Sequence, residues 1–378
     1  MMPSRFQSYK SFFKQLTLAV VLLTTLPILM GAKKEYTVPV EGLDSALRKP
    51  HRIPIKRMFP DKPKFATLKK SPDRTYTMDR PKPLKRQTWW TIPKELKNKA
   101  FACQFNKQHV IVVDKEKGGA LVAQWMIDQL NEREARNLPT TFGLATGSSP
   151  IPVYENLVKA FREQKFKTDN LSTINLDEYI GLEPGDSNSY KQFMRQHLIA
   201  DLELTDDQFH IFDSQAQSEN DPEIQRLQKL LTQNPRHFQL LGIGENGHIG
   251  FNEPDDTLSA ETPTRIVKLT ESTRKANAPY FGGDTTKVPT HARTLGPKDI
   301  LHAERIVVLA WGEKKKAAIA NSILGPIKPQ VPASLLQKHL NVVWVMDAEA
   351  AATLFKQGGR VTREMARQFP TLFQTPEK

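Results

Sequence analysis

Apolar positions along this chain fall into two regimes. The first hundred residues show no strand or helix period, whereas strand-like and helix-like runs alternate over the rest. Residues 110–113, Val-Ile-Val-Val, predict a first strand. Over 118–131, Leu121, Val122, Trp125, Met126 and Leu130 recur at helical spacing and predict a helix. A second strand is expected at 141–145 and a helix at 151–164, opened by Pro150, whose missing N–H costs nothing in a first helical turn. The same reading gives strands at 172–176, 208–212, 238–241, 264–268, 305–310 and 341–346. Helices are expected at 189–198, 221–234, 271–277, from 312 to Leu324, at 348–355 and at 361–369. The glycine pair Gly282-Gly283 suggests a hinge. Alternating strands and helices imply an α/β fold with a doubly wound, mostly parallel sheet and helices on both faces. Ligands then belong beyond the C-terminal ends of the strands.

Composition changes this picture mainly at the N-terminus. The net charge of +13 suggests nucleic acid or a membrane surface, but it is unevenly spread. Residues 33–99 carry nineteen basic and seven acidic side chains, 1–32 carry three and none, and the remainder is near neutral. Residues 1–32 combine Arg5, Lys10 and Lys14 with an uncharged run ending in Gly31-Ala32, the form of a signal peptide or a membrane anchor. Pro27 and the short run weaken a spanning helix. Residues 33–105 read as a basic, Pro-rich arm or linker that cannot bury enough apolar surface to offset chain entropy. The catalytic domain is expected over 106–378. One cysteine, Cys103, excludes an internal disulfide framework and a multi-cysteine metal site.

The candidate chemistry sits where the predicted strands end. Thr146, Gly147, Ser148 and Ser149 lie between the second strand and a helix, where free backbone N–H groups suit phosphate; the same residues could equally be a plain helix cap. Asp177 and Glu178 end the third strand, where they could act as a base, cap the next turn or, least favoured, hold a metal. After strand 238–241 come Gly242, Gly244, Gly247 and Gly250, with Asn246, His248 and Glu253 among them. Glycine permits positive φ and close approach of backbone to a ligand. Lysines at 314–316 oppose the dipole of the helix they open, which makes sense if one faces an anion. The set suits proton transfer on a phosphorylated small molecule, with His248 as a shuttle near neutrality and Asp177 taking a proton from carbon beside a carbonyl.

Gly242-Ile-Gly-Glu-Asn-Gly-His-Ile-Gly-Phe-Asn-Glu-Pro254, Leu176-Asp-Glu-Tyr-Ile-Gly-Leu182, Leu144-Ala-Thr-Gly-Ser-Ser-Pro150 and Thr273-Arg274 resemble glucosamine-6-phosphate deaminase over about 108–354. The resemblance implies the Rossmann-like fold shared with 6-phosphogluconolactonase. It also implies conversion of glucosamine 6-phosphate and water to fructose 6-phosphate and ammonia, with no cofactor and no metal. Asp177 matches the base that moves a proton between C2 and C1, His248 the residue that opens the sugar ring, and Glu253 the carboxylate that orients it. Asn246 stands where members carry Asp or Asn. Gly147, Ser148, Arg274 and Lys315 match the phosphate contacts. The family is usually cytoplasmic, which conflicts with an export signal. Val267 replaces an expected basic residue, against allosteric activation, and Arg293 stands where an apolar residue is usual. Expected partners are a phosphosugar, a membrane through 1–32 and a second copy in a homo-oligomer, but not nucleic acid. The alternatives are a 6-phosphogluconolactonase-type hydrolase, whose loop normally departs from Gly250-Phe-Asn-Glu-Pro254, and a non-catalytic phosphosugar-binding protein.

Overall fold

The structure is a computed structural model that describes residues 68–70, 76–78, 89–215, 222–359 and 363–368. Two units are distinguished, 1–85 and 86–378. In the first, Leu68–Lys70 and Tyr76–Met78 pair as an antiparallel hairpin. The signal or anchor expected at 1–32, and most of the basic arm, lie outside the described residues. No helix among the described residues is long and apolar enough to cross a membrane.

The second unit is built on an eight-stranded sheet. Its strands are β1 (Ala100–Phe105), β2 (Gln108–Val113), β3 (Thr140–Leu144), β4 (Leu171–Asn175), β6 (Phe209–His210), β7 (Phe238–Gly242), β10 (Ile306–Ala310) and β11 (Val342–Met346). They lie in the order β1-β2-β11-β10-β7-β3-β4-β6, and every pair is parallel except β1 with β2. Strands buried on both faces read as unbroken apolar runs. In β10, Ile306 and Val308 enter one core while Val307 and Leu309 enter the other, and β11 divides in the same way around Trp344 and Val345. Helices α1 (Lys115–Glu134) and α2 (Ile151–Arg162) cover one face, where Leu121, Met126, Val153 and Leu157 pack. Helices α6 (Lys316–Ile323) and α7 (Ala348–Gln357) cover the other. The doubly wound architecture expected from the alternation is therefore present.

The domain begins before residue 106, a correction to the arm expected over 33–105. Ala100–Phe105 is an edge strand whose six residues pair with Val113–Gln108 of β2. Upstream, Trp89 meets Trp125 and Phe238 edge-on at 5.8 Å, and the Trp125 indole donates to Thr91 O at 2.8 Å. Aromatic burial of this kind outweighs the local polar and basic context.

A second sheet, wholly antiparallel, was not expected. It joins β8 (Arg265–Lys268), β9 (His291–Thr294) and β5 (Asp177–Tyr179) in the order β8-β9-β5. The chain thus leaves the main sheet at the end of β4, passes Leu176 and enters the small sheet at Asp177. The expected helix at 189–198 is α3 (Tyr190–Met194) continued by a wider π turn over Arg195–Ile199, and the one expected at 221–234 is α4 (Pro222–Gln233).

Strand order also fixes where a ligand belongs. From β3 the chain moves outward to β4 and β6, whereas from β7 it moves the other way to β10 and β11. β3 and β7 are therefore the neighbours at which the winding reverses, and open α/β sheets bind ligands in that crevice.

Candidate active site

The β3–α2 turn supplies the first wall. Gly147 has φ 84° with open space around it, so glycine is required here by backbone conformation rather than by crowding. Helix α2 starts after Pro150 without a side-chain cap. The N–H groups of Gly147, Ser148 and Ser149 meet no protein acceptor among the described residues. At the positive end of the helix dipole, such groups are suited to an anion. A Cβ on Gly242, at the end of β7, would stand 3.8 Å from that of Ser149, so the turn overlooks the crevice.

The end of β10 closes on the same turn. The Trp311 indole donates to Ser149 O at 3.0 Å. Gly312, at φ 84°, then turns the chain into 313–315, with its N–H held by Asp347 Oδ2 at 2.8 Å. This geometry separates the three lysines. Lys314 is exposed and 4.0 Å from Glu245, and Lys316 is paired with Glu313 at 2.5 Å. Lys315 is half-buried, and burial lowers its pKa from the ordinary lysine value, with Glu245 opposing and Lys314 adding to the shift. Partly desolvated and not paired as Lys316 is with Glu313, Lys315 is the phosphate candidate of the three, on the segment that follows the Trp311 tie to Ser149.

The two adjacent acids have opposite surroundings. Glu178 accepts from the N–H groups of Tyr179, Tyr190 and Lys191 at 2.9–3.0 Å and from Ser189 Oγ at 3.0 Å. It is an anchor for the start of α3, at the favourable end of that helix. The Asp177 carboxyl is buried and takes no hydrogen bond among the described residues, although the strand it stands on pairs with Thr294 of β9. Burial first, and the Glu178 charge second, push its carboxyl up to about 8. A buried, unpartnered carboxyl with a raised pKa has the properties of a general base.

The β7 loop brings Gly250 against this acid. Gly250, at φ 56°, lies so close that a Cβ would stand 2.9 Å from Thr294 Oγ1 and 3.2 Å from Asp177 Oδ2. Phe251 N donates to Thr294 Oγ1 at 3.1 Å, and the Asn252 amide donates to Ile249 O and Leu295 O at 2.9 and 2.8 Å. These bonds fasten the loop to β9, the strand paired with Asp177. His248 lies over Gly244, where a Cβ would collide with its ring at 2.3 Å. Its buried Nδ1 is 3.4 Å from Glu253 Oε1, an ion-pair distance rather than a well-directed hydrogen bond, which turns Nε2 away from Glu253.

Glu253 is the hub of this loop. Asn246 Nδ2 donates to its Oε2 at 2.6 Å, and Asn246 Oδ1 accepts from His248 N at 3.2 Å. Asn246 therefore contacts the Glu253 carboxylate and the loop backbone rather than the imidazole. Thr273 Oγ1 donates to Glu253 Oε1. Burial pushes the Glu253 pKa up, but the His248 ring beside it and the donors Thr273 and Asn246 outweigh it and hold the carboxyl below its ordinary range.

Helix α5 (Glu271–Asn277) carries Thr273 and, next to it, Arg274. The Arg274 guanidinium donates through Nε to Val288 O at 3.1 Å and through Nη2 to Thr285 O at 2.8 Å. The described contacts do not join it to the 146–149 turn. It lines an open cavity of about 680 Å³ with Lys268, Thr270, Lys275 and Thr286. That cavity is lined by neither Asp177 nor His248, so the strand ends, and not this opening, place the candidate acid and imidazole. Reading the sequence alone misses Thr273 as a partner of Glu253, and Thr294 and Trp311 as the ties that hold the loops. Arg293 is fully buried with Nη1 donating to Asp213 O at 2.5 Å, which accounts for a cation at a position expected to be apolar.

Residues 113–344 match the family described as glucosamine-6-phosphate isomerases/6-phosphogluconolactonase. A glucosamine-6-phosphate deaminase 2 from Giardia intestinalis is 40% identical over 242 residues, 64% of this chain and 90% of its own length. A glucosamine-6-phosphate deaminase from Rhodopirellula baltica is 39% identical over 247 residues, covering 65% and 96%. Among solved structures, a monomeric glucosamine-6-phosphate deaminase superposes with a TM-score of 0.60 at 34% identity, covering 65% of this chain and 99% of its own. The 6-phosphogluconolactonase from Trypanosoma cruzi, at TM-score 0.52 and 19% identity, shares the fold.

Proposed function

Because this chain belongs to the glucosamine-6-phosphate isomerase/6-phosphogluconolactonase family, we propose that it converts glucosamine 6-phosphate and water to fructose 6-phosphate and ammonia, by hydrolytic loss of the C–N bond. The observation that carries the deaminase reading is the pairing of His248–Glu253 with a separate, unpartnered buried acid, Asp177. Lactone hydrolysis requires no base for a carbon-bound proton; aldose–ketose isomerisation does. The relatives at about 40% identity named as deaminases support the same choice.

In this reading the sugar phosphate sits on the free N–H groups of Gly147, Ser148 and Ser149, with Thr146 and Ser149 completing the turn and Lys315 and Arg274 supplying charge. His248, oriented by Glu253, carries the proton of the anomeric hydroxyl to the ring oxygen, and the ring opens to the C1 aldehyde. Asp177 removes the C2 proton and returns it to C1. As C1 is protonated, the amino nitrogen gives one proton to the C1 oxygen and becomes an imine at C2; water adds to C2, and the C–N bond breaks to release ammonia and leave the C2 carbonyl. Asn246 and Thr273 keep Glu253 in place.

The test is ammonia release from glucosamine 6-phosphate, with hydrolysis of 6-phosphogluconolactone measured beside it. Lactone hydrolysis without ammonia would replace the reading by its hydrolase alternative. The phosphate assignment has its own check. Lys315→Met should raise KM for glucosamine 6-phosphate about 10- to 100-fold, the range for one charge-assisted hydrogen bond. Use of unphosphorylated glucosamine should change little, and equal effects on both sugars would remove Lys315 from the phosphate site.

A further inference from the structure

Thr273 carries a role beyond helix capping. Thr273 N donates to Thr270 Oγ1 at 3.1 Å, as in an ordinary N-cap. The Thr270 hydroxyl then donates onward to Thr273 Oγ1 at 3.1 Å, and Thr273 Oγ1 donates to Glu253 Oε1. A hydroxyl has one proton to give. With Thr270 donating to it, the Thr273 hydroxyl is directed at Glu253. The side chain is buried, so water does not replace it without rearrangement. Glu253 Oε1 is the same oxygen that faces His248 Nδ1.

We propose that Thr273 is a positioning residue for ring opening, which acts through Glu253 to fix the carboxylate oxygen that orients His248. The proposal rests on the deaminase reading only for the name of the step. Because Arg274 follows directly on the same helix, a movement of α5 on phosphate binding would reach Glu253 through this hydroxyl.

The charged and titratable groups acting on Glu253 can be named. His248 faces it from its own loop, and its other partners, Thr273 on α5 and Asn246 on the loop, do not titrate in the relevant range. The variants are Thr273→Val, which keeps the shape and removes the hydroxyl, and Thr273→Ser, which keeps the hydroxyl. The side-chain carboxyl of Glu253 is titrated by carbon NMR in the full chain, its resonance assigned with Glu253→Gln. Thr273→Val should raise the midpoint by about one pH unit, the size expected for one hydrogen bond to a carboxylate, and Thr273→Ser should return it. The acidic limb of kcat for ammonia release should move up in pH with it, with KM little changed.

An unmoved titration in Thr273→Val overturns the proposal. So does an equal loss of activity at every pH that Thr273→Ser does not restore, since packing alone would give that. If the wild-type protein releases no ammonia, the deaminase reading fails, while the Glu253 titration still decides the part played by Thr273.

Discussion

Replacing Asp177 by Asn should lower turnover of glucosamine 6-phosphate about 10²- to 10⁴-fold, the span that general-base groups contribute. Phosphosugar binding should persist, because Asp177 lies on β5 whereas the anion turn lies after β3. The variant should also stop exchange of the C2 proton with deuterated solvent. Exchange at the wild-type rate would exclude Asp177 as the base. The wild-type pH dependence has a worked sign. With the folded carboxyl at about 8 and an unfolded value near 3.9, the base form of the free enzyme gains population as pH rises towards 8, so kcat/KM should climb there. Stability moves oppositely. Between about pH 4 and 8 the unfolded chain has lost a proton that the folded chain keeps, so stability falls as pH rises through this window. Asp177→Asn removes that loss and should unfold at a higher temperature than wild type at pH 8, with little difference near pH 4.

His248→Ala should cost a similar 10²- to 10⁴-fold but at a different step. An open-chain analogue of the substrate, having no ring to open, should bind wild type and variant within a few-fold. A large loss of analogue affinity would show that the imidazole holds the sugar rather than moving a proton. The distinction follows from the geometry: Nδ1 is directed at Glu253 and Nε2 away from it.

The sequence discloses the main sheet better than the small one. β10 and β11 are unbroken apolar runs, and two-sided burial produces no other pattern. β1 escapes because Ala-Phe-Ala-Cys-Gln-Phe neither alternates nor runs apolar, and it pairs at an edge behind a basic segment. Of the sheet of β8, β9 and β5, only β8 is legible, from the alternation over 264–268; β9 and β5 are short, come from distant stretches and are defined by tertiary pairing. The site divides similarly. Each loop announces itself through glycine and ionisable residues, but the meeting of Gly250 with Asp177, and of Thr273 with Glu253, depends on how those sheets are joined. The lysine run shows the same limit: three identical side chains become distinct only when burial and ion pairs are known.

The edge strand has a practical consequence. β1 lies four strands from β7, a separation of about 19 Å at roughly 4.8 Å per strand. The chain enters the sheet at the margin away from the crevice, so a change confined to β1 should leave the strand ends that carry the candidate chemistry untouched. A deletion that starts the protein at Lys99 is not equivalent. It would remove the indole of Trp89, which packs on Phe238 in β7 and lies under the Arg305 guanidinium at 5.4 Å, and so strip cover from the base of the very strand whose other end bears His248.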